Sequence, residues 1–176
     1  MKIHHAGAHL DQLVRQTRNH HVQLSSMADL KANILMTMAS VVITLSARYV
    51  TDPDLKWAAM VLIAFCLVTL VLAVYTVMPK VRVPIKQGKP PDVNDPEFNL
   101  LFFGNFVRLD YRQFENAMEE AMNDPSKSYE LQIREIYTLG KFLADKKYRF
   151  IRLAYMSFIV GLICSVAVML IAELLK

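Results

Sequence analysis

Long apolar runs alternate with polar stretches along this chain, and their spacing predicts helices throughout. Leu10, Leu13, Val14, Thr17, His21 and Leu24 recur at three- and four-residue intervals, with Asp11, Gln12, Arg15, Gln16 and Arg18 between them. That is the stripe of an amphipathic helix. Nothing breaks it before a first apolar run at about Ala32 to Ala47. This run is short and carries Thr37, Ser40, Thr44 and Ser46, so by length alone it fits a buried helix as well as a membrane span. The next run, Trp57 to Met78, decides the matter because it holds no charge at all, with Trp57 and Tyr75 placed to meet the two interfaces. Between the two runs, Arg48 to Lys56 is a polar turn in which Asp52 is expected to cap a helix and Pro53 to take its first position. The pair reads as a membrane hairpin that Pro79 ends.

Lys80 to Pro96, rich in Pro and Gly, reads as a linker. Asp95-Pro96 is a start signal for a short helix, EFNLLFFGNF, with Phe98, Leu101, Phe102 and Phe106 on its apolar face and Gly104 ending or bending it. Asp110 is expected to cap a second helix, with Phe114, Met118 and Met122 at four-residue spacing. Asp124-Pro125 opens the last helix, polar up to Arg152 and apolar from Leu153 to Leu175. Those final 23 or so residues, at 1.5 Å each, reach roughly 34 Å, enough for a hydrocarbon core of about 30 Å. The rod from Pro125 onward is expected to turn Ile133, Ile136, Tyr137 and Leu143 toward the two short helices. No strand is predicted. The fold class is an all-α membrane protein: three transmembrane helices, arranged as a hairpin plus a C-terminal span, with a small cytosolic helical bundle whose last helix runs on into the third span. Its expected parts are an N-terminal helix (1–31), the hairpin (32–78, with spans near 32–47 and 57–78), a cytosolic sensor region (79–152) and the third span (153–175).

Composition agrees. The chain has 176 residues, 54% of them hydrophobic, with a net charge of +4, and both apolar content and clustered cations point to membrane spans. The N-terminus lacks an apolar signal-peptide core, so the first span is expected to stay as an uncleaved anchor. Cys66 and Cys164 both fall inside predicted spans, which argues against a disulfide framework. Arg15, Arg18 and Lys31 precede span one; Lys80, Arg82, Lys86 and Lys89 follow span two; Lys141, Lys146, Lys147, Arg149 and Arg152 precede span three. The positive-inside rule then puts the N-terminus and residues 79–150 in the cytosol and the C-terminus outside, in a multi-pass membrane protein.

Candidate chemistry is sparse. His5 and His9 are one helical turn apart, but no third ligand converges with His4, His5, His9, His20 or His21, so no metal is expected. Without a phosphate loop, an HExxH pair or a nucleophile elbow, no enzyme activity, catalytic residue or cofactor is expected. Glu115, Glu119 and Glu120 read as a solvated helix face. Asp29, Lys31 and Asn33 stand at the mouth of span one, either as a polar interface with Lys31 reaching into the headgroups or as a polar site in which Asp29 and Lys31 are compensated by neighbours on other helices. Ser157, Gly161 and Ser165, four apart, allow close helix approach, either within one chain or as an assembly face between copies in a homo-oligomer. The basic flanks suit anionic lipid or a phosphate-bearing ligand, and nucleic acid is not an expected partner.

Three segments resemble the transmembrane effector of Pycsar (pyrimidine cyclase) anti-phage defence systems: SSMADLKANILMTMAS at span one, NLLFFGNFVRLDYRQF in the middle, and SYELQIREIYTLGKFLADKKYRFIRLAYMSFIVGL entering span three. The similarity runs from about Arg18 onward. It implies that a companion nucleotide cyclase makes a cyclic pyrimidine mononucleotide on infection, and that the effector senses this messenger and damages the inner membrane, halting the infected cell. On this reading Arg18, Asp29, Lys31, Asn33, Arg108 and Arg112 are candidates to meet a cyclic nucleotide of the cyclic CMP or UMP class, with Phe103, Tyr111 or Tyr137 stacking on its base. The alternative is a non-enzymatic membrane anchor or scaffold subunit for a cytosolic partner.

Overall fold

A computed structural model of the chain describes residues 3, 7–79, 91–93, 95 and 98–175. His4, His5 and the linker from Lys80 to Pro90, with its four cations, lie outside the described residues. Helix makes up 85% of the structure, and no strand occurs among the described residues. The helices are α1 (Ala8–Ala47), α2 (Lys56–Val77), α3 (Phe103–Phe106), α4 (Tyr111–Asn123), α5 (Pro125–Phe142) and α6 (Arg149–Leu174). A π-helical segment, Leu143–Tyr148, joins α5 to α6 without a break. Three helical stretches are long and apolar enough to cross a membrane: Ala8–Thr51, Lys56–Val77 and Pro125–Leu174.

The described chain forms two compact units, residues 24–78 with 142–176, and residues 1–23 with 79–141. The span unit is built around small side chains. Ala28, Ala32, Leu35 and Ala39 of α1, Cys66, Thr69 and Ala73 of α2, and Ala154 of α6 are all buried, and most of them join Ile151 and Phe158 in one apolar cluster. Where these small residues meet, neighbouring backbones approach closely, which is how helices in lipid gain packing energy, and Leu35, Ile151 and Phe158 fill the space between. The outward faces carry Val41, Leu45, Val71, Ile163 and Leu170, all exposed, as a lipid-facing surface requires. At the hairpin, Asp52 Oδ1 accepts from the Asp54 and Leu55 N–H groups (2.9 and 3.2 Å). Asp52 therefore closes a turn over Pro53, and regular helix begins only at Lys56, three residues later than the cap-plus-proline signal implies.

The second unit holds the first turns of α1 with α3, α4 and α5. Asp110 caps α4 through a full capping box with Gln113: its carboxylate accepts from the Gln113 N–H at 2.8 Å, and the Gln113 side chain accepts from the Asp110 N–H at 3.3 Å. Phe98, Leu100 and Ala117 form its small core, flanked by Leu109, Phe114, Met118 and Leu131. Of the helix expected over residues 97–106, only Phe103–Phe106 is helical among the described residues. Phe98, Asn99 and Leu100 are all buried, and three consecutive buried residues do not fit a helix covered on one side. Two long side chains take over the backbone groups instead. Arg134 donates to the Phe98 carbonyl at 2.9 Å, and the Asn99 amide oxygen accepts from the Leu101 N–H at 3.0 Å while its NH₂ reaches Thr138 Oγ1 at 3.2 Å. Two more expectations change. Met122 is exposed, and the buried stripe of α4 runs through Ala117 and Ala121. Ile133 and Ile136 line a crevice of about 260 Å³ with Leu10, Leu13 and Val14 of α1, so this face of α5 meets α1 rather than the short helices.

Candidate functional site

The polar cluster in the span unit is organised by one carboxylate. Asp29 lies one helical turn before Ala32, where α1 becomes apolar. A charge at that depth is costly unless paired. The partner comes from the π segment: Lys147 Nζ lies 2.6 Å from both Asp29 Oδ1 and Oδ2 and 2.9 Å from Ser25 Oγ. An ammonium has three N–H donors, and here three acceptors surround it. The Lys147 side chain is 12% exposed and that of Asp29 38%, so the cation is the more deeply held of the two. The adjacent Tyr148 OH donates to the Leu24 carbonyl at 3.2 Å. A π segment closes i to i+5 hydrogen bonds and turns its side chains out of α-helical register. Here it brings two consecutive residues, Lys147 and Tyr148, onto the same stretch of α1.

Of the three residues proposed at this mouth, only Asp29 enters the cluster. Lys31 and Asn33 are both exposed: two steps of about 100° turn Lys31 to the far side of α1, while Asn33 stands one turn beyond Asp29 and about 40° round from it. Ser157, Gly161 and Ser165 form a packing face inside the chain. Ser157 Oγ donates to the Phe65 carbonyl at 3.3 Å and Ser165 Oγ to the Ala58 carbonyl at 3.0 Å. A Cβ on Gly161 would stand 2.4 Å from Phe65 Cβ. Of the two readings of this face, packing within one chain is the one found: it is taken up by α2.

The other candidates belong to the second unit. Arg18 pairs with Glu135 at 3.2 Å, and the carboxylate is the more covered partner. Beside this pair the His21 ring lies against Gly140, where a Cβ would come within 3.2 Å of His21 Cε1. Nearer the start of α1, Tyr129 OH donates to Asp11 Oδ1. That bond to a carboxylate, reinforced by burial and by the negative charge itself, pushes the Tyr129 hydroxyl above its ordinary pKa, against a smaller opposing contribution from the Gly7 backbone. Arg108, Tyr111 and Arg112 are exposed around the start of α4, and Tyr111 OH reaches Glu115 at 3.4 Å. Phe103 packs on Phe102 with its centroid 5.2 Å away and is otherwise open. Tyr137 is 67% exposed on α5. No contact among the described residues gathers Phe103, Tyr111 and Tyr137 into one pocket. No group of three metal-ligating side chains occurs among the described residues either.

Sequence reasoning missed Lys147, Ser25 and Tyr148. The available signal was Asp29 itself, a carboxylate at an apolar edge that calls for a counter-charge, with five cations preceding the third span as candidates.

The sequence profile of the Pycsar effector protein domain matches residues 12–172, and the chain belongs to that family. No curated protein and no solved structure matches it. Membership gives the protein a role in anti-phage defence, and its three span-grade helices make it a membrane protein.

Proposed function

We propose that this Pycsar effector senses a cyclic nucleotide of the cyclic CMP or UMP class on the cytosolic side of the bacterial inner membrane. On binding, it impairs the integrity of that membrane and so halts the infected cell. The observation that carries the reading is the Asp29–Lys147–Ser25 cluster, a charged contact made by a π segment at the edge of the spans. Such a contact has two discrete states, closed and open, and a ligand that favours one of them shifts the population. α1 and the Pro125–Leu174 helix each contribute to both compact units, so ordering in the polar unit has a continuous backbone route to the spans. In the polar unit, exposed Arg108 and Arg112 offer cations for phosphate, and exposed Tyr111, Tyr137 and Phe103 offer faces for a base. No catalytic step is part of this proposal, and the companion cyclase enters only through its product.

The test is dye release from liposomes holding the purified full-length protein, with cyclic CMP, cyclic UMP or neither. Release is expected with one of the pyrimidine nucleotides and not with cyclic AMP. Intact liposomes at saturating concentrations of both would refute the reading and favour a scaffold that only anchors a partner.

A further inference from the structure

α1 has three faces where it crosses the span unit. Ala28, Ala32, Leu35 and Ala39 are buried against the other spans, while Ile34, Met38, Val41 and Leu45 form an exposed apolar face. Between them runs a third face, Asn33, Thr37, Ser40 and Thr44, polar and exposed. At 100° per residue these four fall within an arc of about 60°, and they cover about 17 Å of helix, more than half the hydrocarbon thickness. The hydroxyls of Thr37, Ser40 and Thr44 each donate back to a carbonyl of their own helix, at 3.1, 2.8 and 3.0 Å.

The hydroxyls elsewhere in the described spans differ in where they sit, although Thr69 and Thr76 also donate to carbonyls of their own helix, at 2.8 and 3.0 Å. Thr69, Thr76 and Ser46 are buried, and Ser157 and Ser165 reach carbonyls of the facing helix. The α1 face alone leaves its hydroxyls on the outside of the bundle. Lipid tails offer it no hydrogen bonds, and an apolar partner helix would offer none either. A second copy of the same face complements it, because Asn, Ser and Thr are donors and acceptors at once.

We propose that the Asn33–Thr37–Ser40–Thr44 face is where a second copy of this chain packs, α1 against α1, and that it forms the contact of the membrane-active assembly. This rests on the effector reading for its purpose but not for its geometry. Copies inserted with one orientation pack in parallel, so each stripe residue meets its own counterpart.

The experiment is cysteine cross-linking of the full-length protein in membranes, with Cys66 and Cys164 replaced by Ala. Single cysteines go in at Thr37 and Thr44 on the stripe and at Met38 and Leu45 on the apolar face. Disulfide-linked dimers are expected from Thr37→Cys and Thr44→Cys, at least tenfold above Met38→Cys and Leu45→Cys. Near-isosteric Thr37→Val with Thr44→Val and Ser40→Ala should lower association in liposomes, read by energy transfer between labelled copies. About threefold is expected per lost interhelical contact, roughly 20-fold for the three. Equal cross-linking on both faces, or unchanged association in the triple variant, overturns the proposal. Nucleotide-triggered leakage without stripe cross-linking sinks this interface and leaves the effector reading intact. Stripe cross-linking with no leakage does the reverse.

Discussion

Replacing Lys147 by Met tests whether the π-segment contact holds the span unit together. The substitution keeps the length and most of the apolar stem but removes the ammonium. Asp29 would then retain its charge with only Ser25 nearby. Breaking a fully buried ion pair costs about 3–5 kcal/mol, and an exposed pair about 0–1 kcal/mol. This contact sits between those limits, since Lys147 is 12% exposed and Asp29 38%. Three contacts of 2.6, 2.6 and 2.9 Å to one nitrogen place it toward the stronger side. The expected loss is about 2 kcal/mol, discounted from the buried limit for the water that reaches Asp29. For a chain of this size that corresponds to a fall in Tm of about 4–8 °C. The assay is thermal unfolding of the full-length protein in detergent, followed by the fluorescence of Trp57, with Asp29→Asn and the double variant completing a cycle. The coupling between the two sites should be about 1–3 kcal/mol. It should survive in moderate salt, because the pair is partly withdrawn from solvent. A Tm within 1 °C of wild type for Lys147→Met, or additivity within about 0.5 kcal/mol, would refute the assignment.

Gly161→Ala should destabilise the α2–α6 contact by about 1–3 kcal/mol, because the new methyl would lie 2.4 Å from Phe65 Cβ; the same melt should show no full recovery when Phe65→Ala is added, since alanine keeps the Cβ that stands in the way. Tyr129 gives the pH dependence. Its hydroxyl is raised above the ordinary value of 10.0, first by the hydrogen bond to Asp11, so the clasp contributes its stability in full below pH 10 and loses it as pH rises through the higher folded pKa. Absorbance titration of tyrosinate should show one late component that returns toward the ordinary range in Asp11→Asn; an unchanged titration would remove the clasp from the account.

How much of this was legible beforehand depended on range. The uncharged run from Trp57 and the cap at Asp110 act over a few residues, and both the second span and α4 follow from them. The continuity of α1 into its span and of the rod from Pro125 into the third span was legible too, because nothing in either stretch interrupts a helix. Residues 98–102 were misread because Arg134, 36 positions away, takes the Phe98 carbonyl, and Thr138, 39 positions away, holds the Asn99 side chain that takes the Leu101 N–H. Asp29 declared its need for a partner, but Lys147 is 118 positions distant and stands among five cations of similar spacing. Only the extra residue of the π segment singles it out, and periodicity arguments assume that every turn is alike. Ser157, Gly161 and Ser165 announced a close approach without saying to which helix, and Phe65 supplied the answer.

The alanine-lined seam has a mechanical consequence. Large interlocking side chains act like gear teeth: rotation requires them to disengage all at once. Ala28, Ala32, Ala39, Ala73 and Ala154 leave a smoother contact, closer to a plain bearing, in which Leu35, Ile151 and Phe158 are the few teeth left to unmesh. Resistance to such motion is then shared between those teeth and a few polar pins, and releasing a pin loosens the bearing.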